Sequence, residues 1–191
     1  MKKTLYSLIL IVLTGCASLS EPVSLPKNVV VNNDKSIESM LFHENISPSY
    51  DKIDKCLALN IKNKNVNLSD SSKTYVGSYT GNIYNHGNSY TEFASKDKIY
   101  SNQKDKIVVV NGNTEYSKYL IDYVVKFRVH VQNKNNQTTI LFDEINRAQL
   151  STGYAVNDGF KPIYTHLGAH ADAAVNSLEI VKNEIVSCLS N

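Results

Sequence analysis

YLIDYVVKFRVHVQ, residues 119–132, alternates between two kinds of side chain. Tyr123, Val125, Phe127, Val129 and Val131 fall on one side of an extended chain, and Val124, Lys126, Arg128, His130 and Gln132 on the other. Successive strand side chains point to opposite faces. The segment therefore predicts a long strand with one buried and one wet face, as in an antiparallel sheet. Residues 133–136 supply its turn and residues 138–145 the returning strand.

Working outward, residues 107–110 are a β-branched run ending in Asn111-Gly112, the dipeptide that most strongly signals a hairpin. Residues 74–84 and 89–94 read as two strands around the turn residues 85–88, where Gly87 supplies backbone freedom. The polar stretch 63–73 reads as a loop, and Leu57, Leu59 and Ile61 alternate as in a strand starting at Cys56. Ser36 is placed to cap a helix whose face holds Ile37, Met40 and Leu41, and Ser47-Pro48 to start another. Downstream, Ala171, Ala174, Val175, Leu178, Val181, Ile185 and Leu189 share one arc of a 3.6-residue wheel. Asp172 suits that helix's positive end. Lys182 falls inside the arc and must snorkel, while Ile180 falls outside it. The expected fold class is α+β: an antiparallel β-sheet with a C-terminal amphipathic helix packed on one face.

The first residues, MKKTLYSLILIVLTGCASLS, have another logic. Lys2 and Lys3 precede a nearly unbroken apolar run of about nine residues, too short for the roughly 20 that cross a bilayer. The pattern is that of a secretory signal. Leu13-Thr14-Gly15-Cys16 resembles the lipobox of bacterial lipoproteins. That resemblance implies acylation of the Cys16 thiol, cleavage after Gly15 and acylation of the new amine. Ala17, where members retained in the inner membrane carry Asp, implies an outer-membrane destination. The expected organisation is a signal peptide (1–15), a lipid-anchored flexible tether (16–35) and a single α+β domain (36–191). An extended tether of about 20 residues reaches roughly 65 Å.

Lys2 and Lys3 leave with the signal, so the mature chain balances 18 basic against 18 acidic residues. A neutral chain offers no footprint for nucleic acid. With Cys16 acylated, Cys56 and Cys188 remain, an even number for an oxidising compartment. They form either a bridge tying the domain's beginning to its end or two separate buried thiols.

His166 and His170 stand four apart, a spacing for two metal ligands on a helix face, but Gly168 between them favours two histidines around a helix start. Lys126, Arg128 and His130 form a basic stripe that either receives an acidic group or is simply a solvated strand face. Eleven tyrosines remain after signal removal, many interleaved with Asn, Ser and Thr, and can serve a glycan surface or ordinary strands. The chain carries no Gly-x-Ser-x-Gly, His-Glu-x-x-His or phosphate-binding loop, and no cofactor is implied. The expected function is a non-enzymatic lipoprotein, anchored to the outer membrane through Cys16, whose domain binds an envelope protein or lipid in an assembly, accessory or inhibitor role. The alternative is an envelope glycan-binding protein or hydrolase.

Overall fold

The computed structural model describes residues 23–84 and 87–191. The signal peptide, Cys16, the start of the expected tether, and part of the turn expected at residues 85–88 lie outside the described residues. The fold is α+β: a mostly antiparallel sheet with two helices, the second C-terminal.

The strand foreseen at residues 119–132 is β9 (Ile121–Lys134), and it is central. β8 (Ile107–Lys118) and β10 (Gln137–Gln149) flank it. With β1 (Val29–Val31), β2 (Ile37–Glu44) and β7 (Lys98–Asn102) the sheet runs β1-β2-β10-β9-β8-β7, and β11 (Lys161–Pro162) also pairs with β10. α1 (Tyr50–Asn60) and α2 (Ala171–Ser190) cover one face. Val125, Phe127, Val129 and Val131 of β9 meet Leu178, Val181 and Ile185 of α2 in the main core. Every residue of the expected α2 arc is buried. Lys182 snorkels as required: its Nζ passes the Phe42 ring and reaches Glu44 Oε1 at 3.0 Å.

The opposite face is only partly wet. β3 (Val66–Asp70) pairs with β6 (Asn88–Glu92) and lies over it. Val66 and Leu68 pack there with Val124 and Ala148 in a second, smaller core. The loop expected at residues 63–73 thus contains a strand, whose short Val-x-Leu-x-Asp alternation was too brief to signal it. Residues 74–84 are a small hairpin, β4 (Tyr75–Val76) and β5 (Ile83–Tyr84), rather than one strand.

Four further expectations are corrected. The strand expected from Cys56 is α1: Ser49 Oγ accepts from Lys52 N at its start, and Ile53, Cys56 and Leu57 form its buried face. The helix expected at Ser36 is β2. Val30 pairs with Ser39 but Val31 with Ile37, so one extra residue bulges out of β2. That bulge sets Ile37 and Met40, both buried, three apart and imitates a helical period. Asn111-Gly112 makes no turn; β8 runs straight through it. Gly112 is needed because an added Cβ would lie 2.6 Å from Ile61 and 2.8 Å from the Phe127 ring. Finally, the tether boundary at residue 36 is too late. Val29–Val31 is already in the sheet, and Val23 N donates to Thr165 O at 2.7 Å.

Cys56 and Cys188 form a disulfide, with Cα atoms 5.7 Å apart, that joins α1 to the last turn of α2 across 132 residues. Chain entropy assigns a loop of that size about 5 kcal/mol.

Two-residue turns close both ends of β9. Lys118 pairs with Ile121 around Tyr119-Leu120 (φ 52° and 65°), and Lys134 with Gln137 around Asn135-Asn136 (φ 53° and 62°). Positive φ at both central residues matches the twist of the flanking strands.

Candidate functional site

The basic stripe emerges from alternation in β9, and each of its residues faces a carboxylate. Lys126 Nζ lies 2.9 Å from Glu92 Oε1 and over the Phe160 ring. Arg128 Nη1 meets Glu144 Oε1 at 2.6 Å, and His130 Nε2 meets Asp143 Oδ2 at 3.0 Å. β10 supplies two of these acids from neighbouring positions because it bulges between Asp143 and Asn146, with Glu144 at φ 49°. The stripe borders a groove of about 400 Å³ that Asn111, Asn146 and Phe160 also line. With Lys126 and Arg128 each facing a carboxylate, Glu92 and Glu144, that also lines it, the groove is a mixed-charge surface.

His166 and His170 do not converge. A 3-10 turn, Leu167–Ala169, separates them. The His166 ring lies parallel to Tyr164 with centroids 6.4 Å apart, and His170 stands edge-on to Tyr119 at 5.2 Å. His170 adopts φ 51° and forms the N-cap of α2 without a side-chain cap bond. Among the described residues no group of three or more His, Cys, Asp or Glu side chains is arranged to hold a metal.

Arg147 fixes this corner. Its Nη1 donates to Ala169 O and, at 3.0 Å, to Tyr116 Oη, while its guanidinium lies over the Tyr123 ring. Burial pushes the Tyr116 phenol up, against the opposing effect of Arg147. Asp70 anchors a second polar knot: it accepts from Ser72 N and Oγ, Asn88 Nδ2 and Asn157 N. The Ser72 hydrogen bonds, then that from Asn157, hold its carboxyl well below the usual range, at about 2.

The Tyr-rich segment is where apolar area is left over. In the β4–β5 hairpin Val76 and Ile83 are about two-thirds exposed and Tyr79 fully so. Tyr75 and Tyr84 stack on each other with centroids 5.3 Å apart, and neither core cluster includes any of the five. Gly81, at φ 66°, lets the chain reverse. A two-stranded hairpin is at best marginally stable alone, and this one leaves its apolar side chains uncovered. The sequence signal was the tyrosine density; what it lacked was the division between tyrosines that pack, such as Tyr116 and Tyr123, and those that project.

No family model and no curated protein matches the sequence. Among solved structures, a DUF4468 family protein from Bacteroides ovatus is similar in fold, with a TM-score of 0.53 and 10% identity, covering 87% of this chain and 93% of that one. A TBP-like protein from Parabacteroides distasonis superposes with a TM-score of 0.47 and 11% identity, over 86% of this chain and 99% of that one. At such identity the first likeness concerns the fold alone.

Proposed function

We propose that the mature protein is a non-catalytic lipoprotein, held on the outer membrane by acylated Cys16, whose α+β domain binds an envelope protein through its Tyr-rich hairpin. The observation that carries the binding surface is the exposed set Val76, Tyr79 and Ile83 on a hairpin that joins neither core. The Leu13-Thr14-Gly15-Cys16 motif supports the anchor, and the Cys56–Cys188 bridge suits an oxidising compartment. Anchoring confines the domain to a thin layer and raises the effective concentration of a membrane-bound target.

Two measurements test this separately. Cys16→Ser is expected to leave the fold intact and abolish membrane retention; normal outer-membrane fractionation would overturn the anchor. A photo-crosslinker at position 79 is expected to trap one envelope protein, and Val76→Ser with Ile83→Ser to remove the adduct. Competition by purified glycan, with no protein adduct, would favour glycan binding instead, since the same tyrosines sit among Asn, Ser and Thr.

A further inference from the structure

The Tyr119-Leu120 turn is built against local preference twice over. Both residues hold a left-handed backbone, φ 52° and 65°, that Gly and Asn adopt far more readily. Both also show apolar surface to solvent: Leu120 is fully exposed and Tyr119 largely so. Backbone strain that persists at one place points toward function there. The turn is held in position, since the Tyr119 ring meets His170 and Lys118 Nζ reaches Asp172 Oδ2 at 3.4 Å. Half-exposed Leu167 lies on the same segment as His170.

The N-terminal chain arrives at this corner. Val23 N donates to Thr165 O, and Thr165 N to Lys35 O. Thr165 is five residues from His170 on the segment that carries Leu167. Six residues, and so seven Cα–Cα steps, separate Cys16 from Val23, so the two are at most about 25 Å apart. A short leash therefore joins the lipid anchor to the corner where Tyr119, Leu120 and Leu167 are exposed.

We infer that this corner is a second membrane contact, with Leu120 and Leu167 entering the acyl boundary and Tyr119 lying at headgroup level. The inference rests on acylation of Cys16. Its chemistry is that of interfacial anchoring, in which apolar side chains enter shallowly and amphipathic aromatic rings take the polar layer. Two attachment points fix the orientation of the domain, which a single attachment through the lipid leaves free.

The chain contains no tryptophan, so Leu120→Trp introduces a single reporter at a fully exposed position. Leu59→Trp is the control. Leu59 is exposed as well but lies by Cys188 and Asn191, beside the C-terminal half of α2. The variants are expressed from the full sequence, so that cleavage and acylation at Cys16 can proceed, and are reconstituted into phosphatidylethanolamine–phosphatidylglycerol vesicles with or without brominated acyl chains. Emission from the Leu120→Trp variant is expected to shift to shorter wavelength and to be quenched by bromine, with that from Leu59→Trp unchanged. Leu167→Trp is expected to repeat the result and guards against a disturbed turn. Protein that floats with the vesicles while the indoles of both Leu120→Trp and Leu167→Trp stay water-exposed overturns the inference and leaves acylation standing. An equal shift in Leu59→Trp overturns it too, as general adsorption. Protein that does not float with the vesicles overturns acylation and this contact together.

Discussion

The turns at the two ends of β9 share a backbone and differ in everything else. Asn135-Asn136 puts at φ 53° and 62° a residue type that tolerates them, and Tyr119-Leu120 puts at 52° and 65° residues that do not. Around the first, the polar groups are tied in: Asn133 Nδ2 donates to Ser47 Oγ and Pro48 O, Ser47 Oγ to Asn136 Oδ1, and Thr138 Oγ1 to Ile46 O. Around the second, apolar side chains face outward. One turn has residues that suit its backbone and ties them in; the other has residues that do not and leaves them exposed.

The comparison presumes that both ends belong to one cooperative unit, and the disulfide offers the largest perturbation of it. Cys56→Ala with Cys188→Ala is expected to lower unfolding free energy by up to about 5 kcal/mol in chemical denaturation. Hydrogen exchange should then rise at both β9 turns together. Loosening confined to the helices would mean that the ends are independent and would break the comparison.

A smaller effect separates the ends. Asn133 is buried, and Asn133→Ala takes the donor from Pro48 O, which is expected to cost about 1–3 kcal/mol. Leu120→Ala, at a fully exposed position, is expected to stay within about 0.5 kcal/mol. Equal losses at the two sites would show that the Tyr119-Leu120 end is also chosen for folding.

Exchanging the chemistry of the turns sharpens the contrast. Tyr119→Asn with Leu120→Gly is expected to raise the unfolding free energy by about 1–2 kcal/mol through relieved strain, read as a higher denaturation midpoint. Loss of stability would mean that the Tyr119–His170 contact outweighs the strain.

Why the sequence predicts one turn and hides the other follows from the same residues. Residues 133–136 carry three asparagines, and the turn is there. Tyr119-Leu120 has no turn residue, so it reads as the start of a strand, while Asn111-Gly112 carries the hairpin signal inside a straight one. The long β9 alternation and the α2 arc were legible because their periods run on over several turns or pleats without a break. α1 and β2 were not. Leu57, Leu59 and Ile61 mimic a strand across a helix end, and the β2 bulge gives a strand helical spacing. The basic stripe was legible as a set of basic side chains. Its carboxylate partners were not, because Glu92 comes from another sheet and the facing of Asp143 and Glu144 depends on a bulge.

The two ends also differ in charge, which predicts the subtlest effect. The Asn133 network is formed by Asn, Ser, Thr and backbone groups, none of which titrates in acid. At the other end, the loop that leaves β10 is held by two backbone bonds, Leu150 N to Asp122 O and Ser71 N to Gly153 O, and by one carboxylate, to which Asn157 N donates at Asp70 Oδ2. Hydrogen bonds lower the folded pKa of Asp70 to about 2, against 3.8 as its ordinary value. A depressed folded pKa means that the unfolded chain takes up the proton first. The contribution of Asp70 is therefore fully present above 3.8 and is lost as the pH falls from there through about 2. Amide exchange measured stepwise across that window should show Ser72 and Asn157 losing protection before Asn133, whose N–H donates to Lys106 O. Asp70→Asn should remove the pH dependence at Ser72 and Asn157 while leaving Asn133 unchanged. Simultaneous loss at all three amides would mean that acid unfolds the domain globally, and that the difference between the ends lies in their side chains and not in their stability.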